Sequence, residues 1–237
     1  MGRHVTRTVA ELGDDLCLAP ERFDPRRTVA ITGTRAGGAA TDRLGDLVDI
    51  ITDNVTGASF AATARVLVLD TTHAWDGFVL ARHAPVAPTE LGSAKRALAS
   101  GDVIISRLRP YLRQIAFVDD GLFERRSGGG AADAVVASTE FYVLRGRAAR
   151  SGRDAFDAAC LVPYLLSAPV QAALAAGQEG GHHPRFERAQ LEDLPVPAFL
   201  SRRARAIAAE VRTLARSFRA TLVDGRALVA DIERRMR

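Results

Sequence analysis

Gly101-Asp102-Val103-Ile104-Ile105-Ser106-Arg107-Leu108-Arg109-Pro110-Tyr111-Leu112-Arg113-Gln114-Ile115-Ala116-Phe117-Val118 is the stretch on which the reading of the fold turns. Gly101-Asp102 is a turn pair, and Asp102 reads as a turn former rather than an acid or base. Val103 to Ser106 and Ile115 to Val118 are short apolar runs of the β type. Between them, Arg107 to Gln114 concentrates three arginines and one aromatic residue. The unit is strand, basic loop, strand. Such a loop is able to reach a DNA groove, where an arginine fork grips phosphates or a guanine edge. It also fits a solvated hairpin with Tyr111 packed inward.

Working outward, Leu44 to Ile51 is apolar enough for a short buried element, and Arg65 to Asp70 is a β-type run closed by Thr71-Thr72. Gly77 to Leu80 adds a further strand, and Pro85 and Pro88 force an irregular connection after it. Downstream, Gly121 to Ala132 reads as a loop, and Val135 to Ala137 and Glu140 to Leu144 resume β-type sequence. Asp157 to Ala176 is helical in pattern, with Ser167-Ala168-Pro169 marking a break whose proline suits the first turn of a second helix. Pro195-Val196-Pro197 is extended, because a helix does not cross it unbroken.

Beyond it, Ile207, Val211, Leu214, Phe218, Leu222, Leu228, Ile232 and Met236 recur mostly at three- and four-residue steps, the mark of a long amphipathic helix of roughly 50 Å. Gly225 weakens it by about 1 kcal/mol and is the expected place for a bend. The predicted class is α+β: a leader over 1–40 ending in a Gly- and Ala-rich stretch, a mixed globular domain over 41–199, and a coiled-coil-like helical arm over 200–237.

With 237 residues, 47% of them hydrophobic, the chain has material for a sizeable core. No stretch approaches the roughly 18 apolar residues of a membrane span, and Met1-Gly2-Arg3-His4 does not open an apolar signal core. The expected location is cytoplasmic, with no membrane partner. Cys17 and Cys160 form no Cys-x-x-Cys pair and read as plain buried or half-buried thiols.

The isoelectric point of about 9.6 looks like a nucleic-acid signal, yet the formal charge is only +4. Ten arginines against Glu210, Asp224, Asp231 and Glu233 put six excess positive charges after residue 200, so the first 200 residues carry two negative. Lys95 is the sole lysine. The preference for arginine suits phosphate and guanine, and equally fits a compositional bias toward arginine and alanine. Composition permits DNA binding without establishing it.

Chemistry-bearing signatures are sparse. Gly-x-Ser-x-Gly, the phosphate-binding Gly-x-x-x-x-Gly-Lys loop, His-Glu-x-x-His and a helix-opening Gly-x-Gly-x-x-Gly do not occur. His182-His183 invites a metal reading, but adjacent histidines on a loop point apart and no acid or cysteine stands at ligand spacing. Together with Arg185 they are equally suited to donate hydrogen bonds to a phosphate or base edge, or to sit on a loop with no role. Neither a metal nor a cofactor is expected.

Three segments resemble the target-recognition domain of type I restriction-modification specificity subunits. Leu98 to Leu112 is similar to that family's Gly-Asp strand and basic loop, and Ala137-Ser138-Thr139-Glu140-Phe141-Tyr142-Val143-Leu144 to its Ser-Thr-Glu-aromatic strand. Tyr164 to Pro169, Gly180-Gly181-His182-His183-Pro184-Arg185 and Leu194-Pro195-Val196-Pro197 look like its leucine-rich helix, Pro-Arg loop and closing Leu-Pro-x-Pro. The opening Leu44-Gly45-Asp46 also fits, and Asp15 to Phe23 is similar to segments that join adenine methyltransferases to such domains.

The resemblance implies a non-catalytic subunit of a defence complex that reads double-stranded DNA. Its partners would be an adenine methyltransferase and, in some systems, a translocating restriction nuclease. Arg107, Arg109, Tyr111, Arg113, His182, His183 and Arg185 would lie near DNA, and the Ile207 to Met236 stripe would contact partners. A full family member has two recognition domains and two helical arms, whereas this chain has one of each, which implies a homodimer. Two other readings stay open: a stand-alone metal-dependent nuclease or modification enzyme, and a protein-binding scaffold that reuses the recognition fold.

Overall fold

Runs such as Val103-Ile104-Ile105 and Phe141-Tyr142-Val143-Leu144 lack polar alternation because both of their faces are covered. A computed structural model describes residues 41–81, 84–123, 132–149, 155–176, 178–179 and 184–236, and in it both of these runs are buried. In chain order the elements are β1 (Thr41–Arg43), α1 (Leu44–Leu47), β2 (Val48–Ile51), β3 (Asn54–Val55), β4 (Val66–Leu69), β5 (Ala74–Trp75) and β6 (Phe78–Val79). They continue with β7 (Lys95–Leu98), β8 (Val103–Ser106), β9 (Ile115–Phe117), β10 (Ala134–Ser138) and β11 (Phe141–Gly146). Then come α2 (Leu161–Leu166), α3 (Ala168–Ala176), β12 (Gln178–Glu179), β13 (Arg185–Phe186), α4 (Arg188–Glu192), β14 (Pro195–Pro197) and α5 (Ala198–Arg235). The architecture is the expected mixed α+β type.

The central sheet is antiparallel in the order β2-β11-β8-β9. Successive side chains leave a strand on opposite faces. Val103, Ile105, Ile115, Phe117, Tyr142 and Leu144 therefore enter one core, with Leu161, Leu165, Leu174 and Leu191 of the helices. Ile104, Ala116, Phe141 and Val143 enter another, with Leu67, Leu69, Leu98, Val135 and Ala137 of the second sheet. That sheet runs β3-β7-β10-β4, with β10 and β4 parallel. The stack is helices, central sheet, second sheet.

Some local readings are refined. Leu44 to Ile51 is not one element but a single helical turn followed by an edge strand. Strand β7 begins Lys95-Arg96, too polar to be read as a strand, and is held by pairing to β10 and β3. Pro169 lies in the first turn of α3, as its fixed φ favours. Asp102 caps its turn by accepting from the Ala99 N–H at 2.7 Å, and its buried carboxylate takes both Nε and Nη2 of Arg145 at 2.8 Å. Cys160 is fully buried, which pushes its thiol up to about 12, while the leader with Cys17 lies outside the described residues. Among the described residues no single helix is long and apolar enough to cross a membrane.

Helix α5 runs unbroken through Gly225 for 38 residues, about 57 Å. Its environment changes along its length. Leu200, Ala204, Ala208, Val211 and Ala215 are buried in the helix-side core, and Ile207 packs against it. Phe218 stacks on Phe78 with ring centroids 4.5 Å apart. Arg212 takes both oxygens of Asp157 at 2.6 and 2.9 Å, Arg219 pairs with the buried Asp119, and Arg226 donates to the Ala81 carbonyl at 2.8 Å. Leu214, Leu228, Val229, Ile232 and Met236 are exposed. The expected stripe is thus divided between the chain's own body and open surface.

This division has measurable consequences. Phe141→Ala empties a fully buried site between two sheets and is expected to cost about 3–5 kcal/mol in urea unfolding of the isolated chain. Leu228→Ala, on the exposed stretch, is expected to change it by less than about 0.5 kcal/mol.

Candidate nucleic-acid interface

The link from β8 to β9 closes around one 3₁₀ turn, Pro110–Leu112, bracketed by Arg109 at φ 44° and Arg113 at φ 52°. Left-handed backbone costs a side-chain-bearing residue roughly 1–2 kcal/mol, so two such arginines persist only if their surroundings hold them. The turn closes on itself through Leu112 N–H to Arg109 O at 2.9 Å and Arg113 N–H to Pro110 O at 2.8 Å. Ser106 fastens its base, accepting from the Leu108 N–H and sending its own backbone N–H to Gln114 O.

A hairpin buttresses the turn from the side. Strands β5 and β6 are joined by Asp76 (φ 45°) and Gly77 (φ 97°), the two-residue loop in which both positions must be left-handed and for which Asp-Gly is a favoured pair. The Asp76 N–H donates to Arg113 O at 3.3 Å, its carboxylate pairs with the Arg113 guanidinium, and Gly77 exchanges hydrogen bonds with the β9 backbone. The hairpin leaves Trp75 51% exposed, beside a turn whose Tyr111 is 65% exposed. Tyr111 therefore does not pack inward.

Just before β11, whose first residue Phe141 pairs with Ser106 at the base of that turn, Glu140 gathers two arginines from segments 78 positions apart in sequence. Its Oε2 accepts from Arg107 Nε at 2.9 Å and Arg185 Nε at 3.1 Å, and its Oε1 accepts from Arg185 Nη2 at 2.7 Å. The backbones agree: Arg107 N–H donates to Glu140 O at 3.0 Å, and Phe186 N–H to Arg107 O at 3.2 Å. The Tyr142 hydroxyl donates to Phe186 O at 3.2 Å from below. Hydrogen bonds from Arg185 and Arg107 outweigh burial and hold the Glu140 carboxyl at about 2.

The seven expected site residues thus fall into three groups. Arg107 and Arg185 are brought together on one carboxylate. Arg109, Tyr111 and Arg113 stand on one turn, where Arg113 is paired with Asp76 and Arg109 is exposed, with no ion pair among the described residues. His182 and His183 lie outside the described residues. Two participants were not anticipated. The Asp76-Gly77 dipeptide between short apolar pairs was the signal for the hairpin. Glu140 lies within Ser138-Thr139-Glu140-Phe141, but no spacing rule joins it to Arg185. Among the described residues no group of three or more His, Cys, Asp or Glu is arranged to hold a metal ion.

No protein-family model and no curated protein matches the sequence. The fold does match solved structures. A chain from a structure of a type I restriction-modification system, concerned with its complex assembly and conformational transition, superposes with a TM-score of 0.53 at 22% identity. The match covers 78% of this chain and 44% of that one. The HsdS subunit from Thermoanaerobacter tengcongensis superposes with a TM-score of 0.50 at 21% identity, covering 80% of this chain and 44% of that one. The chain spans less than half the length of either. At this identity the likeness is one of fold, and it extends over part of each of those chains.

Because the folded value of Glu140 lies below the ordinary 4.5, its ion pairs stabilise fully above about pH 4.5, and that contribution is lost as pH falls toward 2. Urea unfolding of wild type and Glu140→Gln is expected to show a gap of order 3 kcal/mol near neutrality that closes across this window. A gap independent of pH would assign the difference to packing.

Proposed function

We propose that this chain is a sequence-specific double-stranded DNA recognition subunit, cytoplasmic and without catalytic activity of its own. It directs an adenine methyltransferase, and in a restricting system the nuclease, to a target site. One observation carries the reading: on a fold shared with half of a type I specificity subunit, a buttressed turn presents Arg109, Tyr111 and Leu112 to solvent. A fixed arginine beside an exposed aromatic suits a groove, where a good bidentate contact to a base discriminates by about 1–3 kcal/mol.

Arg107, Arg109, Tyr111, Arg113 and Arg185 are assigned to the DNA face, together with His182 and His183, which precede Pro184-Arg185 in the sequence. The arm after residue 200 serves partners. Its open residues Leu214, Leu228, Ile232 and Met236 take a second copy or the methyltransferase, since Ile207, Val211 and Phe218 are already engaged with the body. A symmetric pair of such chains would read two half-sites related by a twofold axis.

Selecting bound duplexes from a random pool, with and without the methyltransferase, is expected to return one preferred sequence. Recovery of no preference, with gel shifts independent of salt, would overturn the reading. Arg109→Gly removes a fork and relieves a left-handed arginine at once. It is expected to raise stability by up to about 1 kcal/mol while weakening binding of the selected duplex roughly tenfold or more. Light scattering of the chain, alone and with the methyltransferase, should detect two copies per particle, and one copy under both conditions would remove the dimer.

A further inference from the structure

We propose that Glu140 is a positioning residue that trades non-specific grip for discrimination: by holding Arg107 and Arg185 on one carboxylate it withholds both from the phosphate backbone and fixes their forks for reading base edges. The proposal rests on the DNA-recognition reading above.

The geometry is that of a clamp rather than an incidental surface pair. Both Glu140 oxygens are in use, and Arg185 binds through two nitrogens, the arrangement that fixes the plane of a guanidinium. Glu140 is about one-quarter exposed and the arginines about one-third, so the clamp is reachable from solvent. The two loops are also joined through backbone, by the Leu108–Arg185 bridge and the Phe186 N–H to Arg107 O bond. Rotation of either side chain away from Glu140 therefore abandons a carboxylate without gaining freedom for the main chain.

The charge balance points the same way. Arg107, Arg185 and Glu140 together carry one positive charge instead of two. A phosphate must compete for donors that a tethered carboxylate already satisfies. A base edge needs only the outward side of a fork whose orientation has been settled beforehand, which lowers the ordering cost of binding. Arg96 lies close by, donating to the Phe141 carbonyl at 3.2 Å and to the Thr52 carbonyl. Neutralising Glu140 would leave two guanidinium groups on one uncharged side chain, with Arg96 acting on Arg107 as a further like charge, a strongly attractive site for any duplex.

The test measures binding of wild type, Glu140→Gln and Glu140→Asp to a selected duplex and to random-sequence duplex across a salt series. Glu140→Gln is expected to bind random duplex more tightly. Its plot of log affinity against log salt should be steeper by about one to two units, since each phosphate engaged contributes about 0.9, and its selected-to-random ratio should be several-fold lower. Glu140→Asp keeps the charge and should keep the wild-type slope. A purely architectural Glu140 would instead lower both affinities together with an unchanged or shallower slope, which overturns the proposal.

Should Glu140→Gln fail to fold, Arg185→Gln decides. It leaves the Arg107–Glu140 pair intact and is expected to lower the ratio at the wild-type slope. A slope shallower by about one would place Arg185 on a phosphate and overturn the clamp. Wild-type chain without affinity for any duplex would end the recognition reading itself, whereas wild-type binding with Glu140→Gln unchanged in slope and ratio would end only this inference.

Discussion

Burial of both faces of the β2-β11-β8-β9 sheet is the constraint on which the other features rest. Every side chain from Val103 to Ser106 is covered, those of Ile115 to Phe117 likewise, and two separate cores meet across this one layer. A strand packed on two sides cannot slide by one residue without exchanging the contents of both cores. The β8–β9 link thus leaves a platform whose register is fixed, and left-handed arginines are held where a looser sheet would let the turn relax. Binding loops that depend on fixed side-chain directions need this kind of support.

The same constraint explains which parts of the fold were legible in sequence. Val103-Ile104-Ile105, Ile115-Ala116-Phe117 and Phe141 to Leu144 announce themselves because two-sided burial makes them uniformly apolar. Strand β7 does not, since it opens on the half-buried Lys95 and Arg96 and its strand character comes from neighbours in space. The helical arm was visible from its period, but a period reports that one face is apolar without reporting what covers it. Ala204, Ala208 and Ala215 are as fully inside as Leu200, and alanines are the residues an apolar-stripe count passes over.

The candidate interface was legible in type more than in arrangement. Three arginines and a tyrosine in one loop identify a basic turn, and Pro-Arg after a glycine-rich stretch identifies another. Their meeting on Glu140 is a fact of tertiary structure, as is the support of Arg113 by Asp76 across 37 positions. Electrostatically the site differs from the picture given by composition. It is a small set of cations, several already matched with carboxylates, on a body that is slightly acidic by count. What it offers a ligand is direction more than charge.

The helix that begins at Ala198 has a further consequence for how the molecule is divided. Its first six turns or so are bound into the body through Leu200, Val211, Ala215 and the Phe218–Phe78 stack, with Arg226 as a further anchor on Ala81. A graft that carried the body to another scaffold and stopped at Pro197 would open one wall of its core to water. The smallest transferable cassette therefore ends near Arg226. Only the final two to three turns behave as an interchangeable connector, whose sequence is open to replacement without touching the fold that precedes it.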